Sequence, residues 1–120
     1  SDLPAPPEAR LMFARTPEPP YTAVIFASRR PVGLEDGYGT AAARMVELVA
    51  TQPGFLGVDS ARSPEGFGIT VSYWTDEASA QAWRRNLEHA EVMRQGRVRF
   101  YEAYTLRVAT VHRATSFDRD

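Results

Sequence analysis

The sequence contains no cysteine, and all fourteen of its Lys and Arg residues are arginine. Without cysteine the chain has no disulfide bonds, thiolate nucleophiles, iron–sulfur clusters or cysteine zinc sites. Without lysine it has neither Schiff-base chemistry nor the phosphate-binding lysine of P-loop proteins. Several large classes of enzyme are therefore excluded before any motif is considered.

Long apolar runs and a strong net charge are also missing. No stretch approaches the 18 or so apolar residues that span a bilayer, and the net charge is −1. We therefore expect neither a membrane nor a nucleic-acid partner. No signal peptide is visible, so we expect a cytoplasmic location. The two histidines, His89 and His112, do not have the spacing of a ligand pair, so we expect no metal site.

At 120 residues the chain has the size of one domain. Residues 1–20 hold most of the nine prolines and predict an extended N-terminal arm. The apolar residues 11–13 leave two alternatives for this arm: a disordered leader, or a segment that docks on the domain or on a partner subunit. We expect the folded domain to cover residues 21–117, followed by a polar tail at 118–120.

Hydrophobic periodicity and turn residues predict six elements. Asp36 or Thr40 is the expected N-cap of the first helix, and Thr75 or Asp76 that of the second. Gly96 suggests that the second helix ends near Gln95. The predicted elements are strand 21–30, helix 41–52, strand 55–63, strand 67–74, a helix from about 77 to 95, and strand 100–113.

The strand at 67–74 alternates with a period of two. Bulky side chains from Phe67 to Tyr73 share one face, whereas the other face is small and hydroxylated until Trp74. Such a face leaves room for a ligand.

The element order β-α-β-β-α-β is that of the ferredoxin-like α+β fold, an antiparallel sheet with both helices on one face. The opposite face is also apolar and needs a cover. Strand 100–113 would extend roughly 46 Å, which is long for so small a domain. Both features predict a homodimer that forms through the open sheet face and this long C-terminal strand.

The chain resembles the antibiotic-biosynthesis-monooxygenase-like proteins of the dimeric α+β barrel superfamily over about residues 21–117. The resemblance rests on an ordered set of short matches: Gly37-Tyr38, Met45–Leu48, Gln52–Gly57, Gly68–Trp74, Trp83 with Asn86, Glu88 and His89, then Tyr101, Tyr104 and Arg107-Val108. It implies a dimeric α+β barrel. It also implies an activity among those of the superfamily, which include cofactor-free oxidation of phenols or anthrones to quinones and haem degradation.

Haem degraders of this superfamily use an asparagine on the first strand, a tryptophan on the second helix and a histidine ten residues later. Trp83 fits that pattern, but Ser28 and Met93 occupy the other two positions. These departures argue against haem degradation by that arrangement.

For a cofactor-free oxygenase, His89 is the candidate base because its ordinary pKa is near neutrality. Asn86 would bind a substrate oxygen, and Tyr101 would donate a hydrogen bond; these three are the predicted catalytic residues. The predicted substrate-binding residues are Trp83, Trp74, Tyr73, Ser72 and Arg97. No cofactor is expected.

Each candidate also has a structural interpretation. Packing of its helix on the sheet accounts for Trp83 better than a binding role does, and a hydrogen bond at a helix surface would account for His89. Tyr101 and Tyr104 suit a strand or a dimer contact, and the arginines around 84–99 suit a solvated face.

The sequence therefore predicts a cofactor-independent monooxygenase that acts on an aromatic or polyketide-like small molecule with O2. A ligand-binding or stress-related dimer without enzymatic activity is the alternative. Haem binding or degradation is a third and weaker hypothesis.

Overall fold

The computed structural model describes residues 13–32, 37–89 and 101–119. Its elements are β1 (Tyr21–Arg29), α1 (Tyr38–Val49), β2 (Phe55–Arg62), β3 (Phe67–Trp74), α2 (Glu77–His89) and β4 (Ala103–Val111). The four strands form one antiparallel sheet in the order β2-β3-β1-β4. This order and the two helices confirm the predicted ferredoxin-like α+β fold. None of the described helices has the length and apolar character needed to cross a membrane.

Both helices pack on the same face of the sheet. Val49 at the end of α1 and Ala80 in α2 form a buried cluster with Trp74, the last residue of β3. Trp74 is fully buried, and Val24, Phe55 and Trp83 pack around the cluster. This small core fixes both helices over one end of the sheet.

Helix α1 begins and ends earlier than the sequence indicated. Gly37, in a left-handed conformation, takes the N-cap position, whereas Thr40 lies inside the helix and Asp36 lies outside the described residues. At the other end, the hydroxyl of Thr51 and the side-chain amide of Gln52 both donate to the Leu48 carbonyl. These side-chain bonds compete with the backbone bonds that would continue the helix, so the helix ends at Val49 instead of Gln52.

For α2, the prediction of Asp76 as N-cap is confirmed. Its Oδ1 accepts the Ser79 backbone N–H at 2.7 Å. The hydrogen bond stabilises the carboxylate and lowers the pKa of Asp76. The predicted continuation of this helix to Gln95 lies outside the described residues.

Strand β4 is shorter than the predicted 100–113. It pairs with β1 along its whole length, from Tyr21 opposite Val111 to Arg29 opposite Ala103. His112 and Arg113 follow the strand as irregular chain, because β1 offers no partner beyond Tyr21. The prediction of an overlong strand was therefore wrong, and the argument for a dimer based on its length no longer holds.

The face of the sheet without helices carries part of the N-terminal arm. The backbone N–H of Ala14 donates to Asp59 Oδ1 at 2.6 Å, and the Thr16 hydroxyl donates to the Tyr21 hydroxyl at 2.9 Å. A side chain at Gly57 would lie 2.9 Å from the Ala14 Cβ, so glycine permits this close approach. In its described part the arm docks on the domain, although Phe13 is 75% exposed.

Candidate functional site

The helix-facing side of the sheet has two ends of different character. We call the cluster of Trp74, Trp83, Phe55, Val49 and Ala80 the tryptophan end. We call the cluster of Phe26, Ser28, Arg62, Tyr101 and Tyr104 the tyrosine end. Trp74 is 0% exposed, whereas Tyr104 is 38% exposed. The two ends therefore differ first in how much surface they present to a ligand.

At the tryptophan end, the indoles of Trp74 and Trp83 stack with centroids 6.3 Å apart and an interplanar angle of 28°. The ring of Phe55 meets Trp74 edge-on at 5.5 Å. The Trp74 Nε1–H donates to the Ser72 hydroxyl at 3.0 Å. Trp74 and Ser72, both predicted to bind substrate, are thus bonded to each other within the packing. Trp83 and Phe55 are half-buried there.

At the tyrosine end, three aromatic rings contact one another. The ring of Phe26 lies 5.3 Å from those of both Tyr101 and Tyr104, and the two tyrosine rings are 6.2 Å apart. Phe26 and Tyr101 are half-buried. Rings in such edge-on and tilted contacts form a surface on which a further aromatic ring can pack.

A polar row crosses the sheet beside these rings. Arg62, Gly68, Ser28 and Tyr104 stand opposite one another on β2, β3, β1 and β4. The guanidinium of Arg62 reaches over Gly68 and donates to the Ser28 hydroxyl at 2.5 Å and to the Gly66 carbonyl at 2.6 Å. Ser28 is 4% exposed, so the Arg62 side chain is bonded to a buried residue at the centre of this row.

Helix α2 folds back over this face, because the short connection Thr75-Asp76 brings Ala80 and Trp83 onto Trp74. His89 ends the described helix, about 9 Å of helical rise beyond Trp83. Asn86 is exposed on the same helix. The side chain of His89 and the whole of Arg97 lie outside what the structure describes.

Tyr73 is separated from the other candidates, because it lies on the opposite face of the sheet. Its hydroxyl donates to Asp59 Oδ2 at 2.9 Å, and its ring meets that of Tyr21 edge-on at 5.8 Å. Burial, together with the hydrogen bond and negative charge of Asp59, raises the pKa of Tyr73 to about 12. Tyr73 thus belongs with the docked arm and does not line the surface beneath α2.

A cavity of about 270 Å³ lies between the Gln52-Pro53 turn and the first turns of α2, with Trp83 at its edge. Its carboxylate, Asp76, already serves as the helix cap. The cavity is therefore a mostly apolar recess whose one carboxylate is already engaged. It lies on the outer side of the tryptophan end.

Sequence reasoning missed Arg62, Ser28 and Phe26 as members of the site. Arg62 falls within the predicted strand 55–63 and Phe26 within the predicted strand 21–30, and neither position by itself indicates a ligand. The available signal was Gly68, a residue without a side chain in an otherwise regular strand. Which residue lies opposite Gly68 depends on how β2 pairs with β3, and that pairing is shifted by a bulge between Phe55 and Gly57.

Comparisons with known proteins agree with this architecture. Among solved structures, a protein from Shewanella oneidensis, SO0527, superposes with a TM-score of 0.62 at 11% identity and covers 79% of this chain and 94% of its own. SnoaB, a cofactor-independent oxygenase from Streptomyces nogalater, superposes with a TM-score of 0.57 at 16% identity, covering 82% of this chain and 97% of its own. At these identities the likeness concerns the fold.

Sequence comparisons give the family. The uncharacterized protein YqjZ of Bacillus subtilis (strain 168) is 49% identical over 108 residues, which are 90% of this chain and 94% of that protein. The family model described as antibiotic biosynthesis monooxygenase matches residues 21–95. The chain belongs to the antibiotic biosynthesis monooxygenase family.

Proposed function

We propose that the protein is a cofactor-independent monooxygenase that oxidises an electron-rich aromatic compound with O2. The observation that carries the proposal is the tyrosine end, where the rings of Phe26, Tyr101 and Tyr104 stand beside the Arg62–Ser28 pair. Membership of the family supports it, and so does the likeness in fold to SnoaB. The substrate class is an anthrone or a phenol, because both form a stabilised carbanion or phenolate on losing a proton.

In the proposed reaction, His89 removes the acidic proton of the substrate. The resulting anion transfers one electron to O2, and the carbon radical and superoxide combine into a peroxide. Loss of water from the peroxide converts a CH2 group and one O2 into a carbonyl group and one H2O. The substrate supplies both electrons that reduce the second oxygen atom, so the balance needs no further reductant.

The other proposed roles concern binding. Tyr101 would donate a hydrogen bond to the substrate oxygen, while Asn86 and Arg97 would contact the developing oxyanion. Trp83, which stacks on Trp74, would hold α2 over the sheet. A cytoplasmic location is part of the proposal and rests on the sequence alone.

Oxygen uptake with anthrone as substrate tests the proposal. We expect His89→Ala to reduce the rate by about 10²-fold or more, as loss of a general base does. His112→Ala is the matched control, because His112 is the other histidine and lies exposed beyond β4. An unchanged rate in His89→Ala would remove His89 as the base. Binding of the ring without oxygen uptake would instead favour a ligand-binding protein, and a Soret shift on haem titration would favour haem binding.

We also propose that two chains associate through the sheet face without helices. Phe67 and Ile69 on that face are 49% and 43% exposed, and proteins of this family are commonly dimeric. Ile69→Asp should shift the molar mass measured by light scattering from dimer to monomer. Val108→Asp is the control, because Val108 is 41% exposed but lies on the helix-facing side. A dimer that survives Ile69→Asp would contradict this interface.

A further inference from the structure

We propose that Arg62 and Ser28 form an anion site that selects aromatic ligands bearing an acidic group beside the ring. The inference rests on the proposed function for its ring site, and it adds the chemical class of the ligand. No residue of β2 was expected to bind substrate, so the polar row adds a part of the site that the sequence did not indicate.

The geometry of Arg62 is the first support. The guanidinium lies across the sheet from β2 to β1, held by the Gly66 carbonyl on Nη1 and by the Ser28 hydroxyl on Nη2. These two bonds, both to neutral oxygens, orient the guanidinium. A guanidinium has five N–H donors in a flat fork, which suits a carboxylate or an enolate oxygen pair.

Gly68 is the second support. A Cβ at this position would lie 2.6 Å from the Arg62 Cζ and 2.9 Å from its Nε. A side chain at this position would require the guanidinium to shift, whereas glycine lets it lie where it is, over the strand. The chain thus combines an arginine and a glycine in opposite register positions, and together they hold a cation against the sheet.

The position relative to the rings is the third support. Phe26 lies two residues from Ser28 on the same face of β1, which corresponds to about 7 Å along a strand. An aromatic acid of one or two rings spans that distance. Its ring would contact Phe26 and Tyr104, and its acidic group would reach the Arg62–Ser28 pair.

Two probes that differ only in the acidic group test the inference: 1-hydroxy-2-naphthoate and 1-naphthol. Binding is measured by calorimetry under anaerobic conditions, so turnover does not enter. We expect the wild-type protein to bind the naphthoate at least about tenfold more tightly, as charge-assisted bonds to a partly buried arginine predict. Arg62→Gln should abolish this preference and leave 1-naphthol binding within about twofold, because only the anionic group loses a partner.

Gly68→Ala provides a second, independent variant. The added methyl group displaces the guanidinium without removing its charge, so we expect the same loss of preference. Arg85→Gln is the matched control, because Arg85 is exposed on α2 and the variant loses one positive charge elsewhere. Circular dichroism establishes that each variant is folded.

Equal affinity of the wild-type protein for the two probes, including no detectable binding of either, would overturn the inference. A preference that persists in both Arg62→Gln and Gly68→Ala would also overturn it. The outcome is separate from that of the proposed function: an intact preference without oxygen uptake supports the anion site and contradicts the monooxygenase. Oxygen uptake without the preference supports the monooxygenase and contradicts the anion site.

Discussion

The two ends of the helix-facing sheet surface both contain clustered aromatic rings but differ in how those rings are packed and exposed. At the tryptophan end, the rings of Trp74, Trp83 and Phe55 pack on one another, and the indole N–H of Trp74 finds its acceptor within the packing. At the tyrosine end, the rings stay partly exposed and stand beside a cation that is oriented by neutral oxygens. Aromatic content alone therefore does not distinguish the two ends; exposure and polar neighbours do.

The difference follows from where the described helices make contact. Val49 and Ala80 bring α1 and α2 onto Trp74, so apolar surface is removed from water there and stabilises the fold. No described helical residue belongs to the aromatic contacts of Phe26 and Tyr104. The tryptophan end thus fixes the positions of both helices on the sheet.

The largest expected contrast between the ends is in stability. Trp74→Ala should lower the free energy of unfolding by about 3–5 kcal/mol, because it removes a fully buried indole and leaves a cavity. Tyr104→Ala should lower it by less than about 1.5 kcal/mol, because its side chain is partly solvated. Urea denaturation monitored by circular dichroism measures both. Equal losses would show that the tyrosine end is also core.

A second contrast is in ligand binding. Phe26→Leu keeps an apolar residue on β1 but removes the ring, so 1-naphthol affinity should fall about two- to tenfold, the range of one aromatic contact. Phe55→Leu makes the same change at the tryptophan end and should leave the affinity within experimental error. Calorimetry compares the two variants. A greater loss in Phe55→Leu would move the ring site to the tryptophan end.

The smallest expected effect lies on the other face of the sheet. In the folded protein the pKa of Tyr73 is raised to about 12, so the fold favours its protonated form. The resulting stabilisation is fully present below the ordinary tyrosine value near 10 and is lost as the pH rises through about 12. Asp59→Asn should lower the pKa of Tyr73 only part of the way, because burial, the largest cause, persists.

Absorbance of tyrosinate at alkaline pH follows this titration, and Tyr73→Phe identifies which of the five tyrosines accounts for the late step. Asp59→Asn should leave 1-naphthol affinity unchanged, because Asp59 and Tyr73 face away from both ends. A change in affinity would mean that the two faces of the sheet are coupled.

Local patterns predicted much of the fold. The bounds of β3 follow from its period-two alternation and from the turns that flank it, and they agree with the structure residue for residue. The length of β4 did not follow from its own residues. The predicted strand ran on to Arg113, but β4 ends at Val111, opposite Tyr21, where its partner β1 begins. Element type is a local property here, whereas strand length depends on a neighbour distant in sequence.

The candidate site was less predictable for the same reason. The grouping of Trp83 with Trp74 follows from one helix and one strand that are adjacent in the chain. The meeting of Arg62 with Ser28 joins residues on two strands through a third, and it depends on a bulge in β2 that shifts the register. Because successive side chains of a strand point to opposite faces, Tyr73 and Trp74 lie on different faces of the sheet. Tyr73 is therefore not on the helix-facing surface.

The central claim is that ligand binds at the tyrosine end, and a crystal structure of the protein with 1-hydroxy-2-naphthoate tests it most directly. The account predicts density for the naphthalene ring against Phe26 and Tyr104, with the carboxylate within hydrogen-bond distance of the Arg62 guanidinium. Density for the ligand in the recess beside Trp83 and Pro53, or on the face that carries Asp59 and Tyr73, would contradict it.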